Sequence, residues 1–349
     1  MEKIKNRISY IDIAKGIGIF LVIWGHIILN GPAYNIIYAF HMPLFFFLSG
    51  LVFSKNKYKN IKEFFIKKIK TLIIPYLILS FLTYVYWVLI ENRFNGNTNN
   101  VLNPFLQIFI AQGSSGYMLH NIPMWFIPCL FLVEHICFFI SKISKKYLRI
   151  LISILLGIIG YILTIIQSDL INFKELFWSI EIVLVAIPFY MTAIEIVNII
   201  SKEKLENIVL DNKNIMTIIL IICTVILFFT ANVNGHISMG SDKLGNIVLF
   251  YLNGFLGIII IMLIAIFIRK NRLLEFMGKK SFFIMATHFP VRKPIVLIFS
   301  KIINIDSSVI YSNIPYSFII AIITLLVEII IIKILEKCKF ISKYFCLQN

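Results

Sequence analysis

Apolar runs of membrane-crossing length recur along the chain, broken by short polar segments. They predict ten helices, at about 9–29, 34–54, 71–91, 123–141, 148–168, 176–200, 214–232, 245–268, 281–303 and 313–336, because roughly 20 apolar residues suffice to span the hydrocarbon core. The fold class that follows is an all-α polytopic transmembrane helix bundle. No repeat of fixed period and no soluble stretch of domain size interrupts the pattern, so residues 1–349 read as a single membrane domain.

The polar gaps carry the orientation. Lysine and arginine crowd every second gap: Lys55 to Lys70, Lys142 to Arg149, Lys202 to Lys213 and Arg269 to Lys280. Lys3, Lys5 and Arg7 precede the first run, and Lys337, Lys339 and Lys343 follow the last. The alternate gaps hold only Arg93, Lys174 and Lys243. Cytoplasmic loops are the ones enriched in Lys and Arg, so both termini are expected in the cytoplasm.

Composition agrees. With 59% hydrophobic residues, 14% charged residues and a mean hydropathy of +0.90, the chain lies outside the soluble range of about half apolar and about a quarter charged. It reads as an integral, multi-pass cell-membrane protein whose first partner is the lipid bilayer. The net charge of +16 is accounted for by the basic gaps, so no nucleic-acid partner is needed. Cys129, Cys137, Cys223, Cys338 and Cys346 show no metal-ligand spacing, and no metal is expected. No cleavable signal is apparent, because the first run is long enough to span and lacks a small-residue cleavage site.

Two gaps have character of their own. Lys55–Lys70 interleaves lysines with Ile61, Phe64, Phe65, Ile66 and Ile69. It fits a basic amphipathic helix on the inner leaflet, acting as a topology anchor or holding a phosphorylated cytosolic donor. Asn92–Pro123 starts polar (Asn95, Asn97, Asn99), then holds the apolar patch Pro104–Ala111, too short to span, then Gly113-Ser114-Ser115-Gly116 and His120. It fits a re-entrant or interfacial piece and an outer lid over a substrate.

Ionisable groups inside apolar runs point to function, because they are costly there. Lys15 and His26 are eleven positions apart, which closes three helical turns to within roughly 20° and separates the two basic groups by roughly 16 Å along the axis. Asp12, three residues before Lys15, shares that face and is placed to pair with it. His41 precedes Met42-Pro43, and Pro43 fits a first helical turn, which puts His41 at the helix start. Ser49 before Gly50 reads as a packing residue. Trp125 fits an interfacial belt or a substrate contact. Glu134 has no obvious partner in sequence; Glu181 and Glu195 would lie within about 40° of each other on one face. His288, Pro290, Arg292, Lys293 and Pro294 suit a broken helix lining a polar cavity where an anionic group sits.

These residues together resemble the acyltransferase 3 family of membrane acyltransferases, in particular the branch similar to fucose 4-O-acetylases and bacterial polysaccharide O-acetyltransferases. Lys15 and His26, within DIAKGIGIFLVIWGH, match the family's pattern of a basic residue, ten positions and a histidine. FHMPLFFFLSG ending at Gly50, FFIKKIKTLIIPY ending at Tyr76, WFIPCLF at Trp125–Phe131 and LLEFMGKKSFFIMATHFPV ending at Val291 follow in the family's order. Two positions depart from it: Lys15 stands where many members carry arginine, and Thr71 where a second basic residue is common. The esterase domain of SGNH type that some relatives carry is not in this sequence, which favours direct transfer.

The resemblance implies transfer of an acyl group, usually acetyl from acetyl-CoA, to a hydroxyl of a carbohydrate or cell-surface glycan, in a bacterial cytoplasmic membrane. It assigns catalysis to His26, as base or acyl relay, supported by Lys15, Asp12 and His41. Donor or substrate contacts are expected from Trp125, Glu134, Glu181, His288, Arg292 and Lys68. A glycan exporter without catalytic activity, or the membrane module of a sensory or racemase system, would share the spans and the polar cavity. It would not need the Lys15–His26 imidazole for chemistry.

Overall fold

Helix boundaries follow the apolar runs closely. The computed structural model describes residues 7–94, 96, 100–113, 117–166 and 176–338. Of the positions singled out above, Lys3, Lys5, Asn95, Asn97, Asn99, Ser114, Ser115, Gly116, Lys174, Lys339, Lys343 and Cys346 lie outside the described residues. The helices are α1 (Ser9–Gly25), α2 (Gly31–Val52), α3 (Ile61–Phe94), α4 (Leu102–Ile110), α5 (Ile122–Ile140), α6 (Lys146–Ile166) and α7 (Ile180–Ile199). They continue with α8 (Lys202–Asp211), α9 (Lys213–Asn234), α10 (Ile247–Ile268), α11 (Arg272–Lys279), α12 (Ser281–Ile303), α13 (Ser307–Ser312) and α14 (Ile314–Leu335). Among the described residues, nine helices are long and apolar enough to cross a membrane. With 17 residues α1 falls just below them, at the short limit for a span, so nine of the ten expected spans are met by length and composition; α1 packs against α2, α10 and α11.

The core is built on α2, which packs against α1, α7 and α10, with α1 also packed on α10. Around them, α6 and α9 turn whole faces outward, including Ile154, Ile158 and Ile162 on α6 and Ile218, Ile222, Val225 and Phe229 on α9. Apolar residues cost nothing against lipid tails, so these outer helices need a packing face only on one side. A buried ion pair fixes α6 to α7: Arg149 donates from Nε and Nη2 to the two Glu195 carboxylate oxygens at 2.6 and 2.8 Å. Its Nη1 also caps the Ile143 and Ser144 carbonyls. The bidentate fork satisfies both charges with two parallel hydrogen bonds. Glu195 is thus structural, and Glu181, fourteen residues away, does not share that pair.

Two departures from the expected spans have clear causes. The segment from Ile61 does not lie apart on the surface; it runs through Lys70 into the third span as one 34-residue helix. Asn60 caps its start by accepting from the Glu63 amide, and the Glu63 carboxylate accepts from the Lys59 amide, a reciprocal cap. Two π turns, Ile69–Ile73 and Trp87–Glu91, re-aim the helix. Each adjoins an acid–base pair: Lys68 with Glu134, and Glu91 with Lys293. The second departure is at the prolines. Pro43 lies inside α2, with Pro32 in the first turn instead, so His41 sits mid-helix. Likewise α12 runs unbroken through Pro290 and Pro294. Packed neighbours tolerate proline within a membrane helix.

Close approach between α1 and α11 sets the base of the bundle. A side chain built on Gly278 would place its Cβ 1.8 Å from the Asp12 carbonyl oxygen, and one on Gly16 would meet the Leu274 carbonyl at 2.1 Å. Both atoms are backbone and cannot step aside. Gly278→Val is therefore expected to destabilise the protein by about 1–3 kcal/mol or more, read as a lowered unfolding temperature in detergent; an unchanged melting curve would contradict this packing.

The short α4 is too short to cross, in line with the apolar patch Pro104–Ala111. Tyr76 donates to the Ile108 carbonyl at 2.7 Å and Trp178 to the Phe109 carbonyl at 2.8 Å. It is thereby tied to α3 and to the chain entering α7.

Candidate active site

A cavity of about 480 Å³ opens along α1, α2, α5 and α12. The face of α2 that lines it is read at helical spacing: Tyr34, Tyr38, His41, Phe45 and Ser49. From α1 come Lys15, Val22 and His26; from α12, Ser281, Met285, Phe289 and Arg292. Helices α1 and α2 run in opposite directions, so Lys15 and Ser49 share one end of the cavity and His26, Tyr38 and Tyr34 the other.

His26 closes α1. Its amide still bonds the Val22 carbonyl, the chain then turns back on Trp24, and Leu29 is held by the Tyr311 carbonyl at 2.9 Å. Trp24 donates to Ser317 Oγ at 3.0 Å. These bonds fix the imidazole at a helix end against α14. The His26 ring lies 5.3 Å from that of His288, 5.9 Å from Phe289, and its Nδ1 is 3.4 Å from the Tyr38 hydroxyl.

Three backbone contacts set tautomers. His41 Nδ1 donates to the Ile37 carbonyl at 2.8 Å, and His288 Nδ1 to the Ile284 carbonyl at 2.9 Å. Each ring therefore keeps the lone pair on Nε2. In His288 that Nε2 is buried without a hydrogen-bond partner. His135 makes the same contact to Phe131 but lies away from the cavity.

Arg292 and Lys293 divide. Lys293 pairs with Glu91. Arg292 forms no ion pair among the described residues; its Nε is buried without a hydrogen-bond partner and its guanidinium lies 4.5 Å from the Phe289 ring. Lys15 likewise has no ion-pair partner among the described residues. Asp12 contacts Arg7 at 3.8 Å rather than Lys15, because the α1 terminus brings Arg7 over it. The expected Asp12–Lys15 pair is thus replaced, and Asp12 stands outside the cavity lining.

Glu134 does have a partner. Lys68 Nζ lies 2.7 Å from each of its carboxylate oxygens. The pair balances the two charges, and neither residue lines the cavity, nor does Glu181. Ser49 lines the cavity, and the packing role assigned to it belongs to Gly50, whose Cβ would sit 2.4 Å from the Tyr190 carbonyl. Of the expected site residues, the structure gathers Lys15, His26, His41, Trp125 and Arg292 on the cavity wall, with His288 behind His26.

The His26 end holds residues that were not expected. His236 stacks on Tyr34 at 4.6 Å and Tyr34 on Tyr38 at 4.0 Å, with the Tyr34 hydroxyl 3.1 Å from His236 Nε2. Burial, with the Lys243 ammonium adding to it, lowers the His236 pKa from its ordinary value. The turn between α9 and α10 supplies His236, Ser238, Met239, Gly240, Ser241 and Lys243 to the lining, and Gly240 lies against the Trp125 indole. The lid expected from Asn92–Pro123 contributes Gly113, Ile122 and Pro123. The signal that could have found Tyr34 and Tyr38 is their helical spacing of four and three residues ahead of His41; His236 and Lys243 carried no periodic signal.

A family model described as an acyltransferase domain matches residues 8–333 of the 349. No curated protein and no solved structure matches the chain.

Proposed function

The chain belongs to the acyltransferase 3 family and is an integral membrane acyltransferase, and from that premise we propose that it transfers an acyl group, acetyl in the simplest case, from acyl-CoA to a hydroxyl of a carbohydrate. The observation that carries the reading is one cavity joining an unpaired Lys15 at one end to three imidazoles and Arg292 at the other.

In this reading the acceptor hydroxyl oxygen attacks the thioester carbonyl carbon while His26 takes its proton. Arg292 faces the oxyanion that forms. Collapse breaks the C–S bond, and the protonated His26 returns its proton to the CoA sulfur. His288, its ring against His26, and His41, with its fixed tautomer, hold the geometry and act as positioning residues. The positive-inside pattern of the basic gaps supports a cytoplasmic Lys15 end, where CoA approaches; in this reading Lys15 meets the donor and the Tyr34 end meets the acceptor.

Purified protein in nanodiscs with acetyl-CoA and a glycan acceptor should release CoA and yield an acetylated glycan by mass spectrometry. Movement of glycan across vesicles without acyl-CoA, and no CoA release, would instead favour an exporter. Lys15→Met is expected to raise the donor KM about tenfold, the value of one lost charge-assisted contact, while kcat stays within a few-fold. A lowered kcat at unchanged donor KM would remove Lys15 from donor binding.

A further inference from the structure

We propose that the turn between α9 and α10 is an acceptor-recognition element that takes a saccharide unit carrying an anionic group, read by Lys243 beside the stacked rings of His236 and Tyr34. The inference rests on the acyl-transfer reading for the word acceptor, though not for the binding itself.

The charge of the cavity is one-sided. Among the described residues, its lining includes Lys15, Lys243 and Arg292 and no aspartate or glutamate. Neither Lys243 nor Arg292 has an ion-pair partner among the described residues, and Arg292 Nε is buried with its hydrogen-bonding capacity unmet. A buried cation without a counter-ion is costly unless a ligand brings negative charge, which applies to Arg292; Lys243 is exposed on the cavity wall, where an entering ligand can reach it. The reaction supplies too little negative charge: the thioester and the hydroxyl are both neutral, and the oxyanion is transient and served by Arg292. Lys15 is at the other end of the cavity. Lys243, exposed on the wall beside His236 and Tyr34, is the cation placed to meet a charge that the acceptor carries throughout.

Its position is not incidental. The gaps on that side of the chain are almost bare of cations, and one of the few falls on the cavity wall. The turn that holds it is fixed: the Ser238 amide donates to the Lys243 carbonyl at 2.7 Å and the Lys243 amide to the Ser238 carbonyl at 3.0 Å. Asn234 donates to the Leu244 carbonyl at 3.2 Å and accepts from the Asn246 amide at 2.8 Å. Ile237 and Met239 are buried beneath it. The ammonium is thus carried on a preorganised frame, which lowers the ordering cost of binding.

The rings complete the subsite. His236, Tyr34 and Tyr38 form a continuous stack from this turn to within 3.4 Å of His26 Nδ1. Their hydroxyl and imidazole edges offer the paired polar contacts a sugar needs, and their carbon edges an apolar surface for its C–H groups. A saccharide lying along the stack with its anionic group at Lys243 brings a hydroxyl to His26.

The test uses the full-length protein in lipid nanodiscs, without acyl-CoA, titrated calorimetrically with a galacturonic acid trimer, glucose 6-phosphate and maltotriose. At least one of the two acids is expected to bind about tenfold tighter than maltotriose, as for a charged hydrogen-bonded contact. Which of them does so separates a carboxylate from a phosphate as the charge that is read. K243Q should erase the preference and leave maltotriose binding unchanged; K243R should keep it. Equal binding of acidic and neutral saccharides, binding of none, or an unaltered preference in K243Q would overturn the proposal. Acid-selective binding with no CoA release on adding acetyl-CoA would refute acyl transfer alone, whereas CoA release with acid-blind binding would refute this inference alone.

Discussion

Replacing His26 with alanine is expected to lower acyl transfer by about 10²- to 10⁴-fold, the usual contribution of a positioned general base. The residue is held by the turn that ends α1, backed by His288 and touched by Tyr38. The donor KM should change little, because Lys15 lies about three helical turns away. Folding should also survive, since the ring is only partly buried and the backbone bonds that close the helix do not use it. Single-turnover measurement of CoA release then separates the two roles open to His26. A stoichiometric burst of CoA without acceptor would mark it as an acyl relay; release only with acceptor would mark it as a base. Wild-type turnover in His26→Ala would end both assignments and move the base to His41, whose Nε2 lone pair is set by its bond to Ile37.

Why the helices were legible and the pairings were not has a physical basis. Span length is fixed by the bilayer, so an apolar run states it directly; α12 and α14 fall within one residue of the expected limits. The start of α3 was missed because its lysines read as a surface face. Lys68 in fact points inward to Glu134, a partner 66 residues away that no local pattern reveals. Pro43 misled for a related reason: interior proline is read as a helix start by rules from water, and α2 is supported by its neighbours. Asp12 and Lys15 share a face as expected, yet the carboxylate contacts Arg7.

The site was legible where one helix face carries it. Lys15 and His26 meet one cavity because eleven residues bring them into register, and Tyr34, Tyr38, His41, Phe45 and Ser49 line it because α2 presents one face. The turn with His236 and Lys243 was not legible. Its place over the cavity depends on Gly240 seating against Trp125, two residues from distant parts of the chain. In sequence, Lys243 was a minor exception to the charge pattern; in space it is part of the wall.

Arg292→Gln is expected to lower kcat by about 10²- to 10³-fold, the cost of removing one preorganised donor to an oxyanion. The physical case begins with contrast. Lys293, next in sequence, pairs with Glu91, whereas Arg292 makes no ion pair among the described residues and rests on Phe289 through a cation–π contact. An unpaired guanidinium on the same wall as His26 is where negative charge is best stabilised as the thioester carbonyl is attacked. Because the oxyanion exists only in the transition state, the loss should fall on kcat and kcat/KM alike, with both KM values nearly constant. Arg292→Lys should recover only part of the rate, since an ammonium keeps the charge and loses the planar fork. A raised acceptor KM at unchanged kcat would reassign Arg292 to ground-state binding of the acceptor. Unchanged kinetics in Arg292→Gln would leave the oxyanion without a charged donor from the cavity wall at this end, because Lys293 is committed to Glu91.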